Sequence, residues 1–288
     1  MVFMDNHAPL HTSSTLPPLA APSGSRQNAV SLEQIADFIS TVDLSVRRPE
    51  ATELVEGDDA VRYNHACDYP ENSDYGLVVE ELRACTDISG KRILEIGPGP
   101  GNLCLELLQG GAGQVIGAEP SVEMIQHARQ RFQNEIVMGK MDFVQESVYA
   151  LPVRFDGSFD LVVCHNTFHQ LYDPPRALAE MVRVTKSGGE VHLFDFRRDI
   201  SLELLASRIA YTKPTIWRDL ANSICAALTK GEISAMLDQI PGIRYSVTDA
   251  KPPIELSDRA RALIAADPIP HHLDYRISQK VVIRKGDP

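Results

Sequence analysis

Between residues 93 and 101 the chain runs Ile-Leu-Glu-Ile-Gly-Pro-Gly-Pro-Gly, with glycines at 97, 99 and 101 and a carboxylate, Glu95, two positions before the first. An apolar run that ends on alternate glycines is a buried strand whose exit admits a ligand against bare backbone, because no Cβ blocks the approach. The chemistry this favours is recognition of a nucleotide-like molecule. The spacing is G-x-G-x-G, not the G-x-G-x-x-G of dinucleotide sites. Pro98 and Pro100 carry no N–H, so the turn lacks two donors that a pyrophosphate would use, and Glu95 adds negative charge beside it. Phosphates are therefore disfavoured. A ribose, an adenine and a positively charged end suit the turn better, since Glu95 can face an ammonium group directly or through water.

S-adenosylmethionine has those parts, and the residues that follow come in an order that supports it. Leu103, Cys104, Leu107 and Leu108 have helical spacing, Gly110-Gly111 stops that helix, and a strand over Gln114–Ala118 leads into Glu119 and Pro120, 18 residues after Gly101. From about 91 to 196 the chain resembles the class I S-adenosylmethionine-dependent methyltransferases of the small-molecule, UbiE-like type. The resemblance implies a Rossmann-like α/β fold with a mixed seven-stranded sheet of order 3-2-1-4-5-7-6, helices on both faces and a helical cap. It also implies that Glu119 accepts hydrogen bonds from both ribose hydroxyls and that Gly97, Pro98, Gly99 and Gly101 cradle the cofactor. The adenine loop falls in 141–152. Here Ser147 stands where the family usually has Asp, so adenine recognition rests on Ser147, a weaker uncharged acceptor, and Val148. The segment after the fourth strand, 164–169, brings His165 and Asn166 towards the same point, since ligands of open α/β sheets sit outside the strands' carboxyl ends where strand order reverses.

The remaining elements must position these groups. Ser31 and Gln34 form a capping box for an amphipathic helix bearing Leu32, Ile35, Phe38, Ile39 and Val42, and a second helix is expected over 77–85. Between them Tyr63 either covers the methionine end of the cofactor, where an aromatic face would favour a sulfonium, or packs under the cap helix. Asp173 caps a helix that starts at Pro174 and is ended by Gly188-Gly189, with the fifth strand at 190–196. Thr229 and Glu232 make a second capping box, and the last two strands are expected at 243–248 and 275–283, separated by a proline-containing excursion over 251–272. The organisation is thus a flexible tail (1–30), a helical cap (31–85), the cofactor-binding core (86–196), a helical insert (197–228) and a closing helix and two strands (229–288). The insert, with Leu202, Leu205, Ile209, Tyr211 and Trp217, is expected to roof a substrate pocket, against a dimer contact or plain core. His169 is the first candidate for a general base, against a structural role; His65, Asp68, His271 and His272 are weaker ones.

A chain of 288 residues, 43% of them hydrophobic, buries a full core by itself. With 28 basic and 39 acidic residues its net charge is −11, which gives no field for a nucleic-acid backbone. The five cysteines, at 67, 85, 104, 164 and 225, contain no C-x-x-C, which fits free thiols and argues against a metal site. No stretch has the length of a membrane span and no signal core opens the chain, so a cytoplasmic monomer or homodimer is expected. The expected activity is methyl transfer from S-adenosylmethionine to an O, N or C nucleophile of a small molecule, with secondary metabolism as a setting. The alternatives are a protein that binds S-adenosylmethionine without transfer and, less favoured, an NAD-dependent oxidoreductase.

Overall fold

The computed structural model describes residues 30–52, 54–67, 75–210, 212, 216–250 and 276–286. Along the chain the cap comes first, with α1 (Leu32–Ser40), α2 (Gly57–Cys67) and α3 (Tyr75–Arg83). The core follows as β1 (Arg92–Ile96), α4 (Asn102–Gln109), β2 (Gln114–Ala118), α5 (Val122–Arg131), α6 (Gln133–Val137), β3 (Met141–Val144), β4 (Phe159–His165), α7 (Pro174–Val184) and β5 (Thr185–Phe196). The chain then runs through α8 (Leu202–Ala210), α9 (Trp217–Ala226), α10 (Lys230–Leu237), β6 (Ile243–Asp249) and β7 (Ser278–Lys285). The sheet order is β3-β2-β1-β4-β5-β7-β6, the order expected from the sequence, parallel except for β7.

The central strands are continuous apolar runs because both faces of the sheet are covered. Alternation sends Leu94, Ile96, Val162 and Cys164 to one side, where Leu178 and Met181 of α7 pack on them. Ile93, Val115, Leu161 and Val163 face the other side, against Leu77 and Leu82 of α3 and Leu103 and Leu107 of α4. β1 lies between β2 and β4, so the chain leaves it in both directions across the sheet and a crevice opens above its carboxyl end.

The helix starts follow the caps in the sequence. Ser31 with Gln34 and Thr229 with Glu232 form complete capping boxes, and the Asp173 side chain accepts from the Arg176 N–H. Some boundaries differ. α7 ends at Val184, and β5 begins at Thr185 instead of 190, with a register shift against β4 between Phe159 and Leu161. Gly188-Gly189 is therefore an irregularity inside a strand and not a helix stop. A Cβ on Gly189 would sit 2.8 Å from Thr185 Cγ2 and 3.0 Å from the Asp160 carbonyl, so the backbones approach too closely there for a side chain. The final strand also lies later than expected, over Ser278–Lys285; Tyr275 and the 251–272 excursion fall outside the described residues.

Among the described residues the insert does not line the cavity. Leu205, Ile209, Trp217, Leu220 and Ile224 join Val30 and Ile35 in a third buried cluster, with Phe38 edge-on to Trp217 at 5.6 Å. The amphipathic stripe read from the sequence is real, but its partner is α1. Tyr211 lies outside the described residues. Arg198, 1% exposed, fastens this sub-core to the sheet: it donates to the carbonyls of Ala227 (3.1 Å) and Leu44 (2.6 Å) and to Glu232 Oε1 (2.5 Å). Replacing it with Met should leave two carbonyls and a carboxylate without their donor and lower the unfolding free energy by about 3 kcal/mol. Urea unfolding with an unchanged midpoint would show that these contacts carry no net stability.

Candidate active site

Above the carboxyl end of β1 the chain turns through three left-handed glycines, each with a different neighbour. Gly97 (φ 66°) lies under Thr167, whose Cγ2 would be 2.4 Å from an added Cβ. Gly99 (φ 53°) borders open space, where a Cβ would make only ordinary contacts, 3.4 Å to Met124 Sδ and 3.7 Å to Tyr63 Cε1. Gly101 (φ 84°) is the N-cap of α4 and faces inward, where a Cβ would meet Phe143 at 2.7 Å and Phe132 at 2.9 Å. Expected as a binding residue, Gly101 instead lets the helix start close against the core.

The turn aims the Gly99 N–H at Glu119, at the end of β2. Oε2 of Glu119 accepts from Gly99 (3.1 Å) and Oε1 from the Ser121 N–H (2.9 Å). The side chain is 7% exposed; burial pushes its carboxyl upward, against the pull of those two bonds. Glu95, 3% exposed, has the Cys104 thiol 2.9 Å from Oε2. Burial raises its carboxyl to about 8; the Cys104 bond opposes that shift and the neighbouring Glu119 adds to it. Burial, reinforced by Glu95, also pushes the Cys104 thiol well up, so Cys104 donates as S–H. In the sequence Cys104 is an apolar helix position, and nothing in its spacing signals this contact.

These groups line an open cavity whose empty space, the solvent at its mouth included, is about 880 Å³. Gly97, Pro98 and Gly99 form its floor with Glu95, and Glu119 and Pro120 form one side. Ser147 and Val148 stand beyond; the Ser147 hydroxyl accepts from the Tyr149 N–H at 3.3 Å, capping a short 3₁₀ turn at Val148–Ala150. His165, the last residue of β4, and Asn166 close the opposite wall. Asn166 holds φ 47°, a backbone state that Asn tolerates better than most residues, and its N–H donates to the Phe194 carbonyl at 2.9 Å. Thr167 fixes this exit to the glycine turn, its hydroxyl lying 3.2 Å from the Gly97 carbonyl.

The cap supplies the rest of the wall. Tyr63, 44% exposed on α2, borders the mouth and is not packed beneath a helix. Tyr75, at the start of α3, meets the His165 ring edge-on at 5.7 Å. Val55 also lines the cavity, and its carbonyl accepts from the Ser121 hydroxyl at 2.8 Å. Thr167 lies in the segment 164–169 expected at the site, whereas Tyr75, Val55 and Gln170 were not expected there; Tyr75 and Val55 come from segments with no periodic signal of a site. Among the described residues that line the cavity there is no lysine or arginine.

His169 is held behind the wall and not in it. Its Nδ1 lies 2.7 Å from Asp195 Oδ1, its backbone N–H donates to Asp195 Oδ2 at 2.8 Å, and Nε2 is 3.7 Å from Glu50 Oε1. Burial works against charge on this ring, yet Asp195 and Glu50 hold its pKa above the ordinary imidazole value. Clasped between two carboxylates and set behind the residues that line the cavity, the ring joins β5 to the loop that carries Glu50. Arg47 completes the junction by donating to the carbonyls of His169 (2.9 Å) and Leu171 (2.8 Å). Asp68, His271 and His272 fall outside the described residues, as does the side chain of His65.

Residues 94–193 match the family described as methyltransferase domain. An uncharacterized methyltransferase of Schizosaccharomyces pombe is 39% identical over 106 residues, 35% of this chain and 38% of that protein. The ubiquinone/menaquinone biosynthesis C-methyltransferase UbiE of a Marinomonas species is 34% identical over 120 residues, 41% of this chain and 47% of that protein. The chain thus spans less than half the length of these curated relatives. The fold is shared with the plantazolicin methyltransferase BpumL, solved with a triazolic desmethylPZN analog and SAH, at a TM-score of 0.58 and 15% identity over 79% of this chain and 90% of that one.

Two measurements test this geometry. Gly101→Ala should expose misfolding, because its Cβ overlaps two core rings, whereas Gly99→Ala should cost only about 1–2 kcal/mol of backbone strain while placing a methyl in the cavity. Equal melting temperatures for the two variants would contradict the different surroundings of these glycines. The second concerns Glu95. In the unfolded chain it ionises near pH 4.3, in the fold near 8. The stability tied to its proton is therefore fully present below about pH 4.3 and lost as pH rises through about 8. Glu95→Gln should be less sensitive than the parent between those limits, by up to a few kcal/mol. Parallel pH–stability curves for the two would disprove the raised carboxyl.

Proposed function

We propose that this chain transfers the methyl group of S-adenosylmethionine to an O, N or C nucleophile of a small molecule. The observation that carries the proposal is the pair of buried carboxylates, Glu95 and Glu119, at the ends of adjoining strands and flanking a glycine turn, with no cationic side chain among the described lining residues. A molecule with vicinal hydroxyls and a cationic end satisfies both acids; a diphosphate satisfies neither. The family match over 94–193 supports the same reading.

In this reading Glu119, fixed by two backbone N–H groups, offers its remaining lone pairs to the two ribose hydroxyls. Glu95 faces the ammonium group and ionises as that charge enters. Gly97, Pro98 and Gly99 give backbone contact, with Pro120 beside the ribose. Ser147 and Val148 flank the adenine, Tyr63 covers the sulfonium end, and His165 and Asn166 border the methionine portion. When bound, S-adenosylmethionine supplies a methyl group on a sulfonium leaving group. The protein's task is to align an acceptor and exclude water, a contribution of about 7–11 kcal/mol in well-oriented reactions. Where the acceptor must lose a proton, the imidazole in the wall is His165, not His169. An acceptor without phosphate or carboxylate suits the described lining, and the relative named for C-methylation keeps carbon among the candidate nucleophiles.

Calorimetry with S-adenosylhomocysteine and, separately, NADH tests the cofactor. The first should saturate and the second give no heat; the reverse would overturn the proposal. Glu119→Ala should weaken S-adenosylhomocysteine about 10- to 100-fold, the loss expected for hydrogen bonds to a charged acceptor of about 1.5–3 kcal/mol. Transfer itself is read by a labelled-methyl screen over small neutral and amine acceptors. Binding without any labelled product would leave a cofactor-binding protein in place of an enzyme.

A further inference from the structure

On the sheet face opposite α7, β7 presents Lys280 beneath α3, outside the lining of the cavity. The side chain is 7% exposed, its ammonium 5.3 Å from the centre of the Phe194 ring and 3.5 Å from Glu81 Oε1. The same nitrogen lies 2.7 Å from Sγ of Cys85, an exposed cysteine just past the end of α3. Ordinary N–H···O bonds have a mode of about 2.9–3.0 Å, and sulfur is larger than oxygen, so a non-bonded amine–thiol pair should lie further apart than that. The observed separation is too short for such a pair and too long for a direct S–N bond. One oxygen atom bonded to both would hold the two atoms there.

We propose that Cys85 and Lys280 are the site of an oxidative crosslink, Sγ–O–Nζ, formed with dioxygen. The ammonium first gives a proton to solvent. The thiol S–H and one amine N–H then break, S–O and O–N bonds form to one oxygen atom, and the second oxygen leaves as water with the two released hydrogens. Sulfur and nitrogen each give up two electrons and dioxygen accepts four. Cys85 is open to the oxidant, while Lys280 is held in place by Glu81 and Phe194, so the nitrogen meets the oxidised sulfur without searching for it. Thiolate oxidation followed by capture by a nearby nitrogen is established cysteine chemistry. The link would join α3, which carries Tyr75 of the cavity wall, to β7 across a sequence separation of 195 residues, restricting the unfolded chain as a disulfide does.

The test is a non-reducing peptide map of the full chain after equilibration with air, with a parallel sample kept in dithiothreitol. The Cys85 and Lys280 peptides should be recovered joined, about 14 Da heavier than their sum for one oxygen gained and two hydrogens lost, and dithiothreitol should separate them. The oxidised protein should melt several degrees above the reduced one. Both effects should vanish in Cys85→Ser, an exposed substitution that keeps the fold. Cys85 recovered only as a free thiol, as a sulfinic or sulfonic acid or in a disulfide with a second chain would overturn the proposal. So would a joined pair about 2 Da lighter than the sum, which marks a direct S–N bond.

Discussion

Two carboxylates buried at neighbouring strand ends impose the constraint around which the rest of this protein is arranged. Glu95 and Glu119 are each under 10% exposed, and among the described residues they bond to a thiol and two backbone N–H groups. Removing a carboxylate from water costs several kcal/mol unless it is paired or neutralised. Glu95 accommodates this by holding a proton up to about pH 8, and Glu119 by accepting from the Gly99 and Ser121 amides. The Gly99 amide can reach Glu119 only because the turn runs through positive φ at 97, 99 and 101, which glycine alone adopts without penalty. Fold and site are therefore one problem at this point: the turn that admits a ligand also keeps the acids tolerable before a ligand arrives.

Of the segments before β1, α3 packs into the sheet core, while the loop after α1 is bound to this arrangement by polar ties. Arg47 and Arg198 donate to carbonyls of the turn after β4, the end of α9 and the loop after α1, and Ser121 donates to Val55. Ser223 donates to Glu50 at 2.8 Å, beside the His169–Asp195 pair. Few apolar contacts and exposed hydrogen bonds mark segments that open at low cost, so the wall at Val55 and the exposed Tyr63, not the buried Tyr75 of α3, is the part of the cavity best able to part for an acceptor. The insert works from a distance. Its cluster around Trp217 and Leu205 holds α1, and α1 with the loop behind it holds Arg48 and Glu50 in place.

Much of this was legible along the chain because the signals are local. The apolar runs of β1, β2 and β4 had to be strands covered on both faces, Ser31, Asp173 and Thr229 had to start helices, and the alternate glycines with Glu95 and Glu119 had to stand near one another once strand order reversed at β1. Where local rules pointed the wrong way, a distant surface had overruled them. Gly188-Gly189 looked like a helix stop but serves a close approach to the Asp160 carbonyl of β4. The apolar stripe of 202–226 signalled burial without naming what would bury it.

The sequence by itself determined the strands and helix starts around the site, the turn chemistry and the two acids that flank it, since these follow from periodicity, capping and missing N–H groups within short windows, while the sheet order came with the family resemblance over 91–196. Only the tertiary structure decided that Gly101 faces two phenylalanines and not a ligand, that His169 is clasped by Asp195 and Glu50 behind the wall, that Cys104 serves Glu95, and that Tyr75 from the cap meets His165. Each of those outcomes depends on which residue from a remote segment fills the space next to it, and close packing settles that only when all the segments are in place.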